Sequence, residues 1–226
     1  SKYTSPLQLM CWAVFFALWP AARRHLRGPG PYLALLINLL CTLPVLIWNW
    51  QHDWITIKHV ASHGGAGKVW VPTLKYFFEF VGAEFALLNP WFFVAMLIAL
   101  VAVWQMPRRD ARPVFFFSMG APVFLLYVLL SLKSRVHPNW IAPSVLPLLC
   151  GMVMYWETRL RDKPGLIKLW LASGLGFGLM AVLLIHDTNL VSVIVGRPLP
   201  AQVDPLRRVR GHSEMARIVG DARTQL

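Results

Sequence analysis

Lys133, Arg135, His137 and Asn139 lie in a short polar, cationic stretch, Ser131-Leu132-Lys133-Ser134-Arg135-Val136-His137-Pro138-Asn139-Trp140. It interrupts two apolar runs, residues 114–130 and 141–156, and neither run carries a charge. Two cations, an imidazole and an amide beside the ends of two membrane-spanning helices can cradle a lipid-linked phosphate. Arginine would bind its oxygens through a two-pronged fork and lysine as a point charge. The simpler reading is that Lys133 and Arg135 reach into lipid headgroups, as basic residues beside spans commonly do.

A second polar group lies upstream in Trp48-Asn49-Trp50-Gln51-His52-Asp53-Trp54. Three tryptophans there suit an aromatic belt at the membrane interface. Aromatic faces beside His52 and Asp53 would equally suit a sugar-handling cavity, to which Glu79 and Glu84 could add carboxylates acting as a base or holding a cation. The plainer role for Glu79 and Glu84 is pairing, with Lys75 or with an external arginine. Lys75 and Glu79 are four apart, the spacing that joins two side chains on one helix face. His52, Asp53, His59 and His63 with Glu79 or Glu84 could also hold a divalent metal. Their spacings fit no specific zinc or calcium pattern, so no metal ligand is assigned and no cofactor is required. Phosphate-binding glycine motifs, nucleophile elbows and paired-cysteine motifs are absent from the sequence.

The elements that must position these groups are helices in a membrane. Of 226 residues 57% are hydrophobic and 14% charged, with mean hydropathy +0.53, which is too apolar for a soluble domain of this size. The net charge of +12 collects in loops between apolar segments, which points to membrane topology and anionic lipid and away from nucleic acid. Cys11, Cys41 and Cys150 sit inside apolar runs and match no metal spacing.

The expected fold is all-α and polytopic, with about six transmembrane helices near residues 5–20, 32–50, 90–106, 114–130, 140–156 and 166–185. Residues 51–71 read as a loop, its Gly64-Gly65-Ala66-Gly67 a flexible part. Residues 72–88 read as an interfacial helix, because two carboxylates within a true span are costly. Residues 1–186 then form the transmembrane domain. The tail, 187–226, reads as the start of an incomplete external soluble domain, with Ser213 placed to cap its helix. The basic clusters at residues 23–27, 108–112 and 159–163 fall on one side, the cytoplasmic side by the positive-inside rule, if residues 72–88 do not cross. Gly174, Gly176 and Gly178 mark a surface on the last span where another helix could approach. A first residue that is serine, and a last helix that breaks off, suggest a piece of a longer protein.

Several stretches together resemble the bacterial glycosyltransferase 39 family, related to protein O-mannosyltransferases and to the lipid A aminoarabinose transferase. They are Ser1-Lys2-Tyr3-Thr4, Pro31-Tyr32-Leu33-Ala34, Pro44-Val45-Leu46-Ile47-Trp48-Asn49-Trp50-Gln51-His52-Asp53-Trp54, Ser131-Leu132-Lys133 and His137-Pro138-Asn139-Trp140-Ile141-Ala142-Pro143. Asp204-Pro205-Leu206-Arg207-Arg208-Val209-Arg210-Gly211, followed by Glu214-Met215-Ala216, resembles the join to that family's external domain. The resemblance implies the membrane part of a larger glycosyltransferase C fold in the bacterial inner membrane. Such an enzyme moves a sugar from a polyprenyl-phosphate carrier to a lipid, glycan or protein acceptor at the external face. Lys133, Arg135, His137 and Asn139 would form the carrier-phosphate side of the cavity. The family's catalytic acid would lie upstream of Ser1, so a catalytic residue is not expected within this chain.

Two other classes compete. A transporter or flippase of a lipid-linked anion needs polar or broken helices near mid-membrane, where Asn38, Thr42 and scattered prolines are the candidates. A non-catalytic membrane scaffold would use the glycine surface of the last span.

Overall fold

The computed structural model describes residues 5–63, 72–105, 110–197 and 211–224, together with 199, 200, 202, 204 and 206. The motif at residues 1–4, the glycine loop at 64–67 and the arginines at 108, 109, 207, 208 and 210 lie outside the described residues. Among the described residues there is no strand, and the order is α1 (Ser5–Leu18), α2 (Gly30–Gln51), α3 (Ile55–His63), α4 (Leu74–Leu87), α5 (Pro90–Ala102), α6 (Ala111–Ser131), α7 (Ala142–Leu160), α8 (Pro164–His186), α9 (Thr188–Val195) and α10 (His212–Thr224). Short 3-10 helices cover Pro20–Arg27, Val103–Gln105 and Pro138–Ile141. The chain is an all-α polytopic membrane protein. It divides into two compact units, Ser1–Leu169 and Trp170–Leu226, with the division inside α8.

The polarity of the first unit is that of a protein in lipid. Leu36, Ile37, Leu40 and Ile47 of α2 are exposed, whereas Ser118, Ser131, Ser144 and Ala121 are buried. Apolar side chains facing outward need a lipid solvent, and small residues inside let helix backbones approach. The buried hydroxyls turn back on their own helices: Ser118 Oγ donates to Val114 O at 2.7 Å, and Ser144 Oγ to Ile141 O at 2.7 Å. These two buried hydroxyls are thereby satisfied.

Four helical segments are long and apolar enough to cross a membrane: Gly30–Gln51, Ala111–Ser131, Pro138–Leu160 and Pro164–His186. The other two expected crossings are shorter. With 14 residues, α1 is about 21 Å long at 1.5 Å per residue, against a hydrocarbon core of about 30 Å. The run near 90–106 passes only when α4 and α5 are counted together, and the path bends by 112° between these two helices. The bend sits at Asn89, whose φ is +64° and whose Oδ1 accepts from Trp91 N–H at 3.1 Å. Asparagine tolerates the left-handed region and caps the next helix at once, and Pro90 needs no donor partner at that first position.

Around α6 the packing gathers the ends of the elements into two levels. Cys11 Sγ lies 3.6 Å from Met119 O, and the Phe15 and Phe115 rings meet edge to face at 5.4 Å, so α1 runs antiparallel to α6. The basic 3-10 helix after α1 therefore lies at the level of Asp110 and Arg112. Arg159 Nη2 reaches Gln105 Oε1 at 3.5 Å, which brings the end of α7 to the end of the α5 segment. At the opposite level, Thr73 N–H donates to Leu132 O at 2.8 Å, joining the start of α4 to the loop between α6 and α7. Asp110 caps α6, and hydrogen bonds from the Arg112 side chain and backbone hold its carboxyl below the usual carboxylate range.

On the α5–α7 seam, Trp156 Nε1 donates to Ala95 O at 3.0 Å, a bond between residues 61 positions apart. Replacing Trp156 with phenylalanine is expected to lower the detergent-solubilised Tm, since a net hydrogen bond of this kind contributes about 1 kcal/mol. Thermal unfolding of the purified chain checks this, and an unchanged Tm would remove the bond from the stability account.

Residues 51–71 hold a helix where a plain loop was expected. The end of α2 is closed by Trp54 N–H donating to Asn49 O at 2.7 Å, with Asp53 at φ +50° and Trp54 at +58°. This left-handed turn ends α2 and lets α3 start at Ile55. In the second unit, α10 begins at His212, and Gly211 O accepts its first turn from Met215 N–H at 2.9 Å. Gly211, at φ +83°, is thus the boundary residue, and Ser213 falls within the helix.

Candidate functional site

The loop after α6 is built on buried anchors. Its first backbone groups fold onto the helix end: Lys133 N–H and Ser134 N–H both donate to Leu130 O, at 2.9 and 3.0 Å. Residues 135–137 then run without helix or turn. Ser134 and Val136 are buried, whereas Arg135 and His137 are exposed. In an extended segment, side chains two apart share a side, so the guanidinium and the imidazole project together from the protein. Asn139 is exposed in the 3-10 turn that follows, and Lys133 is half-buried with contacts of its own.

Aromatic packing fixes the far end of the loop. The rings of His137 and Trp140 are 5.4 Å apart, and those of Trp140 and Tyr127 are 5.9 Å apart. Trp140 N–H also donates to His137 O at 3.0 Å. Tyr127 belongs to α6, so the imidazole is held through Trp140 against the helix from which the loop starts.

Arg135 meets a carboxylate from another element. Its Nε lies 3.5 Å from Glu79 Oε2, with side-chain exposures of 73% and 41%. Of the two partners expected for Glu79, Lys75 along α4 or an external arginine, the fold brings the loop over α4 and supplies the arginine. Exposed ion pairs contribute about 0–1 kcal/mol, so Arg135 can leave Glu79 at little cost. A phosphate with two oxygens for its fork would compete well.

Glu84 is different. It is 2% exposed, and its Oε1 has no hydrogen-bond partner among the described residues. Among the described residues the expected pairing with Lys75 or an arginine does not occur, since Glu84 shares the inner face of α4 with Phe80. Glu84→Leu is expected to raise the Tm, as a buried polar group without a partner costs on the order of 1–3 kcal/mol. A fall of several degrees would mean that the carboxyl holds a contact of structural weight.

The remaining candidates lie elsewhere. His52 stacks on Trp48 with ring centres 4.2 Å apart, and its Nδ1 is 2.8 Å from Trp48 O. Asp53 occupies the left-handed turn beside it. Within the first unit α2 packs on α3 and on the basic 3-10 helix, whereas α4 packs on α5, α6 and the turn Pro138–Ile141. Among the described residues no three histidine, cysteine, aspartate or glutamate side chains come together to hold a metal ion. The side chain of His63 is outside the description.

Comparison with known proteins adds a relationship of sequence. Over 214 residues the chain is 27% identical to the lipid A galacturonosyltransferase RgtD of Rhizobium johnstonii, covering 94% of this chain and 42% of that protein. The chain thus spans about two fifths of the length of the curated relative it matches. No protein-family model matches it. No solved structure matches it either.

Two features of the cationic loop escape a reading of the residues one by one. Glu79 stands far from Arg135 in sequence, and nothing local announces their contact. The alternation of Ser134, Arg135, Val136 and His137 does carry a signal: small, large polar, apolar, large polar is the pattern of an extended segment with one side buried.

Proposed function

We propose that this chain is the carrier-binding part of a membrane glycosyltransferase that moves a sugar from a polyprenyl-phosphate carrier to an acceptor at the external face of the bacterial inner membrane. The observation that carries this reading is the paired projection of Arg135 and His137 from an anchored loop at one level of the helices. The relative's activity supports it: a lipid A galacturonosyltransferase acts on a membrane lipid. A lipid of that kind is accordingly the first acceptor to try, ahead of glycans and proteins. The glycosyltransferase C architecture and the family resemblance of the motifs belong to the same proposal.

In this reading the three basic ends mark the cytoplasmic side, and the loop at 131–140 and the tail face the periplasm. The acceptor oxygen attacks the anomeric carbon while the bond to the carrier phosphate breaks and the phosphate leaves with the electron pair. A carboxylate from outside this chain takes the acceptor proton. Arg135, with Lys133, neutralises charge growing on the departing phosphate, where fixed cations lower the barrier most. His137 and Asn139 border the same space and can donate to phosphate or sugar oxygens. Glu79 holds the empty loop through Arg135. Glu84 is too buried to meet substrate in this arrangement, and His52 and Asp53 flank the cavity only if the rest of the protein closes it.

Photo-crosslinking tests the proposal. A photoactivatable polyprenyl phosphate added to membranes containing the full-length protein should label peptides from residues 131–140, and unlabelled carrier should compete. Labelling confined to other peptides would sink the carrier site. Carrier-dependent exchange of a lipid headgroup across liposomes, without sugar transfer, would favour a transporter.

A further inference from the structure

The first helix of the tail has its polarity reversed relative to a water-exposed helix. Thr188 and Ser192, four apart on one face of α9, turn inward: Thr188 Oγ1 donates to Asp204 Oδ1 at 3.1 Å, and Leu199 N–H donates to Ser192 Oγ at 3.3 Å. Thr188 and Asp204 are both buried. Leu190, Val193 and Ile194, at i, i+3 and i+4, form the opposite face and are exposed, Val193 at 78% and Ile194 at 76%. No residue of α9 is ionisable. A helix end facing water would place these side chains the other way round.

What covers that face follows from where α9 begins. The preceding helix, α8, is 23 residues long with a mean hydropathy of 1.9 over its most apolar window, and is a candidate span to its end at His186. A single residue, Asp187, separates the two helices and caps α9 by accepting from Asn189 N–H at 3.0 Å. Eight residues make a helix of about 12 Å, too short to leave the boundary layer of the bilayer by much. Its charges stand at its ends, Asp187 before it and Arg197 after it.

We propose that α9 is an interfacial membrane helix, its Leu190, Val193 and Ile194 face immersed in lipid and its Thr188 and Ser192 face fastening the segment around Asp204 over it. The tail would then leave the membrane after Gly196, whose φ of +73° ends the helix, and not at Asp187. The occupant of the apolar face is the acyl and glycerol region of the leaflet, not a protein partner. This inference is independent of the glycosyltransferase reading.

The test uses single cysteines in the full-length protein with Cys11, Cys41 and Cys150 replaced by alanine. In open membrane fragments, Val193→Cys and Ile194→Cys should react with a membrane-impermeant maleimide at least about tenfold more slowly than Arg223→Cys on α10, as immersion in the interface requires. A fluorophore attached to either cysteine in proteoliposomes should be quenched by lipids brominated in the acyl chain. Reaction as fast as at Arg223→Cys would show a water-facing surface and overturn the proposal. Slow reaction without quenching by brominated lipid would assign the cover to protein and overturn it equally. Unfolded protein reacting at the same rate at all three positions confirms that the cysteines are intact.

Discussion

Arg135→Glu in the full-length protein is expected to lower sugar transfer by about two to three orders of magnitude, the range seen when a fixed group that stabilises developing charge is removed. Membrane insertion and Tm should change little, because the ion pair it breaks is exposed on both sides and such pairs contribute little to stability. Arg135→Lys should retain more activity, losing the two-pronged geometry but not the charge. The reversal also sets a new carboxylate against Glu79, so loss of transfer by itself would leave a structural cause open. The charge swap Glu79→Arg with Arg135→Glu removes that ambiguity, since it restores an ion pair between α4 and the loop while moving the cation to the helix. If Arg135 serves phosphate, transfer stays low in the swapped protein. Full recovery would reduce Arg135 to a loop tether and defeat its proposed role. Rates measured with a polyprenyl-phosphate donor, beside membrane yield and Tm, decide between the two.

How much of this was legible in the sequence depended on whether the controlling interaction was local. The stretch from Ser131 to Trp140 stood out because a charged interruption between uncharged apolar runs is a one-dimensional signal. Its anchoring was not visible: Thr73 meets Leu132 and Glu79 meets Arg135 across long separations. Spacing offered Lys75 for Glu79 beside an unspecified external arginine, and helix spacing cannot say which loop arrives from another element. Glu84 shows the same limit, since a carboxylate among aromatic residues is as compatible with an exposed face as with an inner one until α5 and α6 are placed. His52, Asp53 and Glu79 were grouped only because they are all polar; α2 and α4 that carry or flank them pack on different neighbours.

The fold followed the apolar runs closely where a run was long and uninterrupted, as in α6 and α8. Its departures occur where backbone conformation decides. Asn89 at φ +64° bends the path between α4 and α5 by 112°; the break itself falls where the helix at 72–88 was expected to end, but the size of the bend is set by that one residue's backbone. Asp53 and Trp54 both take positive φ, and a tryptophan there is unusual, so the turn that starts α3 has no compositional signature. The glycines of α8 illustrate the opposite error. Gly174 is buried while a side-chain atom added at Gly176 would meet nothing within 4 Å; residues two apart on a helix point to nearly opposite sides, so Gly176 is off the face that Gly174 and Gly178, four apart, share.

A glycine that does hold two helices together is Gly120. A Cβ there would stand 2.6 Å from Leu148 Cγ, 2.9 Å from Leu148 Cδ2 and 2.9 Å from Ser144 O. Two of these atoms belong to a side chain that can turn, but the third is a backbone carbonyl of α7. Gly120→Ala should therefore lower the Tm despite the better helix propensity of alanine, with a cost of about 1–3 kcal/mol typical of overpacking set against about 1 kcal/mol gained in propensity. Gly120→Leu should prevent stable packing of α6 on α7 and reduce the yield of folded protein. The double variant Gly120→Ala with Leu148→Ala separates the two obstacles. It relieves the side-chain clash and leaves Ser144 O in place, so recovery beyond that lost by Leu148→Ala alone should be partial. Complete recovery would mean that the α7 backbone yields freely, and no loss of Tm in Gly120→Ala would mean that α6 and α7 are not seated this closely. Because α6 and α7 carry the two ends of the cationic loop, a loosened seam should also weaken carrier labelling of residues 131–140, whereas Trp156→Phe on the α5 side should leave that labelling unchanged.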